Sequence, residues 1–365
     1  MNIDVDNNND DEQKKQEKNV ETIKRKKQEV IETRQKGLAI DIGTGFLVSA
    51  VSVDSKIKYR TQRDAFVDLE NSFMTKSMLT KLKASYIESE DKKTLYVIGE
   101  QALQLSVFFG RECRRPLSKG VISTREKECL QMLKIILHSL VGDPIIENEK
   151  LYFSVPANPV DENFNGIYHE NVLKSFLVSF GFDACPINEA FAIVLSELED
   201  EDYTGIALSF GSGMVNVALS FMGVTEKKHQ FSIARGGDWV DINSAIAVGE
   251  KASKMTTIKE AGVDLLNPKN REETAIKIYY ENLIKYTCDA IEKKFGTMED
   301  IPNFPESISV VVSGGTSKAI NFDKLFEEEL RTKKLPFIIK QVKKASDPLN
   351  AVAKGCLLNA LQFYS

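Results

Sequence analysis

Two stretches of the chain carry the same rhythm of apolar and small residues. The first is Gly37-Leu-Ala-Ile-Asp41-Ile-Gly43-Thr44-Gly45-Phe-Leu-Val-Ser-Ala-Val-Ser-Val53, and the second is Thr204-Gly-Ile-Ala-Leu-Ser209-Phe-Gly211-Ser212-Gly213-Met-Val-Asn216-Val-Ala-Leu-Ser-Phe221. Each is a β-rich run broken at the same place by a small-residue turn, so each predicts a β-hairpin and the pair is an internal repeat. Beyond Leu266-Asn-Pro268 the period changes: Ile276, Tyr280, Leu283, Ile284, Thr287 and Ile291 recur at helical spacing. The chain thus reads as two alternating α/β halves, one opened by each hairpin. Residues 1–36 stand apart, because Asp, Asn, Glu, Lys and Gln dominate them and cannot bury a core. That segment is expected to be a disordered, solvated charged tail, with a partner-binding arm as the alternative. Within it Asn19 is placed to cap a short charged helix through Ile23, Val30 and Ile31.

Composition narrows the class without naming it. The 365 residues, 42% hydrophobic and 28% charged, suit about two soluble domains. A formal net charge of −5 gives no bulk positive field toward nucleic acid or anionic lipid, and no transmembrane segment is expected. Cys113, Cys129, Cys185, Cys288 and Cys356 form no CxxC pair, and no apolar signal segment precedes the fold, which favours reduced thiols in a cytoplasm. His138, His169 and His229 are too few to build a histidine-based metal site or triad with ease.

A glycine turn between two strands lets backbone N–H groups approach an anion closely, since no Cβ intervenes and successive amides point one way. One such turn is usually just a turn. Two that face each other would clamp a polyphosphate from both sides.

From Gly37 onward the sequence resembles the superfamily of actins, bacterial MreB and MamK filament proteins, seventy-kilodalton heat-shock chaperones and sugar kinases. Asp41, Gly43, Thr44 and Gly45 fit the family's first phosphate motif, Asp-x-Gly-Thr/Ser-Gly, and the second hairpin resembles the second phosphate motif. Pro186-Ile-Asn188-Glu189-Ala190-Phe-Ala192 resembles the connecting helix whose acid or amide positions the attacking water. Val310-Val-Val-Ser313-Gly314-Gly315-Thr316-Ser317 resembles the adenosine motif, and Asp347-Pro348-Leu-Asn350-Ala-Val-Ala-Lys354-Gly355 the C-terminal helix. Gly236-Gly237-Asp238-Trp-Val-Asp241 resembles the Gly-Gly-Asp turn, although Asp238 and Asp241 equally suit capping of the next helix. Thr257-Ile-Lys259-Glu260 resembles the Lys-Glu pair that holds the adenosine in actin and MreB; alone, it is an ordinary solvated helix face. Tyr96-Val-Ile-Gly99-Glu-Gln-Ala102 and Arg115-Pro116-Leu-Ser-Lys-Gly120-Val-Ile122 resemble the small upper subdomain of MreB and MamK.

The resemblance implies an α/β actin-like fold of two ribonuclease-H-like domains around a nucleotide cleft. Domain I would span 37–203 with its upper subdomain at about 54–120, domain II 204–345, and a helix in 346–365 would return to domain I. It implies ATP or ADP with Mg²⁺, the phosphates lying on Gly43, Thr44, Gly45, Gly211, Ser212 and Gly213. The rest of the nucleotide would meet Gly236, Gly237, Asp238, Lys259, Glu260, Gly314, Gly315 and Thr316. Asp41 would hold the metal through water, and Glu189 would orient or deprotonate the attacking water.

Two departures bear on function. The second phosphate motif normally begins with Asp where this chain has Ser209, a hydroxyl without charge. ATP binding should survive that change, while hydrolysis is left open. Between Asp241 and Lys259 there is room for only about one helix, so the upper subdomain of domain II is expected to be reduced. The favoured expectation is a prokaryotic, cytoplasmic, filament-forming protein whose self-association follows cleft closure around ATP. A monomeric nucleotide-gated switch or chaperone-like module is the alternative, with a small-molecule kinase behind it.

Overall fold

A computed structural model describes residues 34–123, 128–164, 166–297, 301, 304 and 307–365. The expected charged helix around Asn19 lies outside the described residues. The first strand, β1 (Arg34–Ile42), begins three residues before Gly37, because Arg34 has a structural partner: its guanidinium lies 2.7 Å from the buried Glu149 carboxylate.

Domain I follows with β2 (Phe46–Val53), β3 (Lys56–Arg63), β4 (Phe66–Glu70), α1 (Phe73–Lys81), β5 (Tyr86–Glu88), β6 (Thr94–Ile98) and α2 (Glu100–Phe109). It continues through β7 (Leu117–Ser118), β8 (Val121–Ile122), α3 (Cys129–Val141), β9 (Glu149–Val155), α4 (Ile167–Ser179) and β10 (Phe182–Asn188). The next helix, α5 (Glu189–Glu197), leads to domain II. That domain holds β11 (Gly205–Phe210), β12 (Val215–Ser220), β13 (Gln230–Ile233), α6 (Gly237–Val248), α7 (Ala252–Glu260) and α8 (Arg271–Phe295). After these come β14 (Ile308–Ser313), α9 (Phe322–Leu330), β15 (Ile339–Lys344) and α10 (Ala351–Gln362).

The internal repeat extends to sheet topology. One sheet runs β10-β9-β1-β2-β3 and the other β15-β14-β11-β12-β13, and in each the hairpin strands pair antiparallel while the outer two are parallel. Strands β11, β12 and β14 are buried along their whole length, as near-continuous apolar runs covered on both faces should be. Each domain has its own core: Leu133, Ile136 and Leu137 of α3 pack with Leu173 and Leu177 of α4 in the first, and Tyr280, Leu283 and Ile284 of α8 with Phe322 and Phe326 of α9 in the second.

A third core joins the two domains. Ala192, Ile193 and Val194 of α5 and Val352, Cys356 and Leu357 of α10 pack between Ala39 of one sheet and Ala207 and Val311 of the other. These small residues let the helices cross closely. A Cβ on Gly355 would overlap the Ala192 carbonyl, so Gly355 sets the spacing at the hinge. Above domain I, the three-stranded sheet β4-β6-β5 with α1 and α2 forms a small lobe. Domain II lacks such a sheet among the described residues; α6 and α7 stand against the first half of α8 instead, leaving no strand between β13 and β14.

Candidate functional site

The two glycine turns face one another across the cleft. In the first, Asp41 pairs with Val48 and Gly43 N donates to Phe46 O at 3.1 Å; in the second, Ser209 pairs with Asn216 and Gly211 N donates to Met214 O at 2.9 Å. The hairpins therefore match residue for residue. A Cβ on Gly45 would overlap Ser212 Oγ, and one on Gly213 would overlap Thr44 Oγ1, so only glycine permits the turns to approach this closely. The β7–β8 hairpin closes over them, Gly120 N donating to Thr44 Oγ1 at 2.9 Å.

The cavity between the turns encloses about 370 Å³. Of the residues singled out from sequence, Asp41, Gly43, Thr44, Gly45, Glu189, Ser209, Gly211, Ser212, Gly213, Asp238, Lys259, Glu260, Gly314, Gly315 and Thr316 line it. Gly236 and Gly237 do not. They pack behind the second turn, with Gly237 N on Gly211 O at 3.0 Å and Asp238 N on Ser212 O at 2.8 Å. Gly236 is also the N-cap of α6, so neither Asp238 nor Asp241 caps that helix.

At the floor of the cavity sit two carboxylates. Asp41, at the end of β1, accepts a 2.7 Å bond from Ser154 Oγ, itself fixed by Ile42 N at 2.8 Å. Glu189 is the first residue of α5, held there because Asn188 caps the helix through Phe191 N at 3.0 Å. Its Oε2 accepts from Asn216 Nδ2 at 3.0 Å, and Asn216 Oδ1 accepts from Ala157 N at 2.9 Å. Burial raises Asp41 to about 6 despite the Ser154 and Ile42 hydrogen bonds. Burial and then the Asp41 charge raise Glu189 to about 8, with Ser209 and Asn216 pulling it back. Among the described residues neither carboxylate hydrogen-bonds a basic side chain. Burial keeps protons on both acids more readily than usual, and Asp41, Glu189 and Ser209 together offer an oxygen-only donor set of the kind that suits a hard divalent ion such as Mg²⁺.

The Lys-Glu pair has protein partners. Lys259 Nζ lies 2.7 Å from Asp241 Oδ2 and 2.9 Å from Gly237 O, with Thr256 Oγ1 also on that carboxylate at 2.7 Å. Glu260 meets Arg63 across the cleft at 3.1 Å. Opposite them, Gly314 takes a φ of +88° where a side chain would overlap the Phe210 backbone. Thr316 Oγ1 donates to Gly211 O at 2.9 Å, tying the Gly-Gly turn to the second glycine turn.

Sequence reading missed Ser154 and assigned no role to Arg63, Arg115 or Asn216. Asn216 carried the only readable signal, a polar residue in an otherwise apolar strand that proves fully buried. Ser154 lies on β9, remote in sequence, and nothing local marks it.

Two matching α/β domains joined by two packed helices, with paired glycine turns and buried acids in the cleft, make an actin-like fold. The chain belongs to the volactin family, whose profile matches residues 35–360. No curated protein matches the sequence. Among solved structures it is similar to the MamK double helical filament, at 18% identity over 89% of this chain and 98% of that one, with a TM-score of 0.69. MreB 5 of Spiroplasma citri bound to AMPPNP gives 16% identity, 90% and 97% coverage and a TM-score of 0.63. The ethanolamine utilization protein EutJ of Carboxydothermus hydrogenoformans gives 14% identity, 88% coverage of each chain and a TM-score of 0.52. At these identities the likeness is one of fold. No helix among the described residues is long and apolar enough to cross a membrane.

Proposed function

We propose that this protein binds ATP with Mg²⁺ in its cleft and polymerises into cytoplasmic filaments when the cleft closes, hydrolysing the nucleotide slowly. The observation that carries the reading is the meeting of two register-matched glycine turns above the Asp41–Glu189 pair. Support comes also from the similar folds of a MamK filament and of MreB 5 bound to AMPPNP or ADP.

Amides of the two turns take the terminal phosphates from opposite sides, so the polyphosphate draws domain I and domain II together. Asp41 would hold Mg²⁺ through water, and the ion when bound would neutralise phosphate charge. Glu189, aimed by Asn216 and by the helix cap at Asn188, orients the attacking water and accepts its proton at the carboxylate. Ser209 brings a neutral hydroxyl and no second carboxylate to the nucleophile, and this makes turnover slow. Gly314 and Gly315 admit the nucleoside edge.

Purified protein with ATP and Mg²⁺ should sediment above a critical concentration and show filaments by electron microscopy. A chain that stays monomeric at high concentration with every nucleotide would overturn polymerisation. Equilibrium titration of a fluorescent ATP analogue tests binding separately.

A further inference from the structure

Two ion pairs span the cleft outside the glycine turns. Arg63 ends β3 in domain I, and its Nη2 lies 3.1 Å from Glu260 Oε2 on α7 of domain II. Arg115 enters β7 on the first side and donates from Nη1 to Asp238 Oδ2, in the first turn of α6, at 2.8 Å. All four side chains line the same cavity.

Arg63 is also held from its own side, and Arg115 passes close to a buried acid. Arg63 Nε donates to Glu100 Oε2 at 2.8 Å, and its charged carbon stands 4.5 Å over the Phe46 ring. Arg115 neighbours Asp64, which is fully buried, accepts Leu117 N at 3.0 Å with one oxygen and has no partner for the other. Burial holds the Asp64 carboxyl well above the usual carboxylate range, with the Leu117 amide and the Arg115 charge pulling it back.

We infer that Arg63 and Arg115 form a latch across the mouth of the cleft that adds to its closure. Arg63 serves one acid of its own domain and one across the cleft, and Arg115 serves one across the cleft. Closing gives each guanidinium a carboxylate from the far side, while opening leaves Arg63 its own and returns Arg115 to solvent, so the cleft has two discrete states. The acceptors across the cleft are partly exposed, the Glu260 and Asp238 side chains at 44% and 32%, so salt screens the latch. Ionic strength thereby sets how readily the site exchanges its ligand, a regulatory sense that rests on the nucleotide-binding reading above.

The test begins with the unmodified full chain free of nucleotide. Small-angle X-ray scattering should show a compact molecule at low salt and a radius of gyration larger by on the order of 1 Å at about 0.5 M salt. The Arg63→Gln, Arg115→Gln variant should be expanded at both, and exchanging charges with Arg115→Asp and Asp238→Arg should restore compaction relative to Arg115→Asp alone. Release of a fluorescent ATP analogue should be about tenfold faster from the double variant. Identical scattering of the wild type at both salts, or of wild type and double variant at low salt, overturns the latch. Failure of the wild type to bind the analogue overturns the proposed function instead, since the scattering arms need no nucleotide.

Discussion

The two glycine hairpins share a register and differ in charge. Both turn after a strand buried in its sheet, both close through the same backbone hydrogen bond, and both leave glycine where the opposite turn approaches. Yet the first begins with Asp41 and the second with Ser209, and the position paired across the ladder is Val48 in the first and Asn216 in the second. The matched backbones keep the paired turns symmetric while their side chains divide the chemistry. The first hairpin supplies a carboxylate, the group that the proposed function assigns to the metal. The second supplies neutral hydrogen bonds that aim Glu189. Only one buried acid therefore faces Glu189, and the floor of the site carries less repulsion than an acid on each hairpin would create.

The largest expected break in that division is Asp41→Asn. It removes the carboxylate while keeping shape and hydrogen-bonding capacity. ATP affinity in Mg²⁺ should fall by about 10²-fold or more, and the difference between Mg²⁺ and chelator should vanish in an equilibrium titration. The same change at Ser209, to Asn, should leave the Mg²⁺ effect in place.

A pH series sharpens the comparison next. Asp41 and Glu189 have folded values raised to about 6 and about 8, whereas the unfolded chain ionises them near 3.8 and 4.5. Below the unfolded values both states are protonated and nothing is lost. As pH climbs from about 4 toward 8 the unfolded state sheds protons that the folded state keeps, so stability of the metal-free chain falls, by several kcal/mol. Chemical denaturation without Mg²⁺ should show this slope, and Asp41→Asn should flatten it.

The smallest effect is expected from Ser209→Asp, which makes the hairpins alike. Turnover of ATP should rise by about tenfold in a phosphate-release assay, while the metal-free chain loses stability because a third acid joins the buried pair. An unchanged rate would show that the missing charge is not what limits hydrolysis.

Much of the fold was legible. The hairpins Gly37–Val53 and Thr204–Phe221 announce themselves because strand and turn are local, and the helix through Ile276 and Ile291 does so because its buried face repeats. The reduced upper part of domain II followed from the short interval between Asp241 and Lys259. The site was legible in its glycines, which answer a local need, and less so in its charges. Lys259 and Glu260 resemble a ligand-holding pair, yet Asp241 and Arg63 engage them here. Gly236 and Gly237 serve the packing of α6 against the second turn, a role invisible without the turn beside them.

The sequence by itself determined the duplicated cradle and the inequality of Asp41 and Ser209, since turn geometry and side-chain charge are properties of a few neighbouring residues. Tertiary structure alone decided which charges meet: Ser154 with Asp41, Asn216 with Glu189, Arg63 with Glu260 and Arg115 with Asp238. It also decided that Asp41 and Glu189 are desolvated together. Electrostatic partnership and burial depend on distances between strands far apart in the chain, and those distances exist only once the two domains have packed on their shared core.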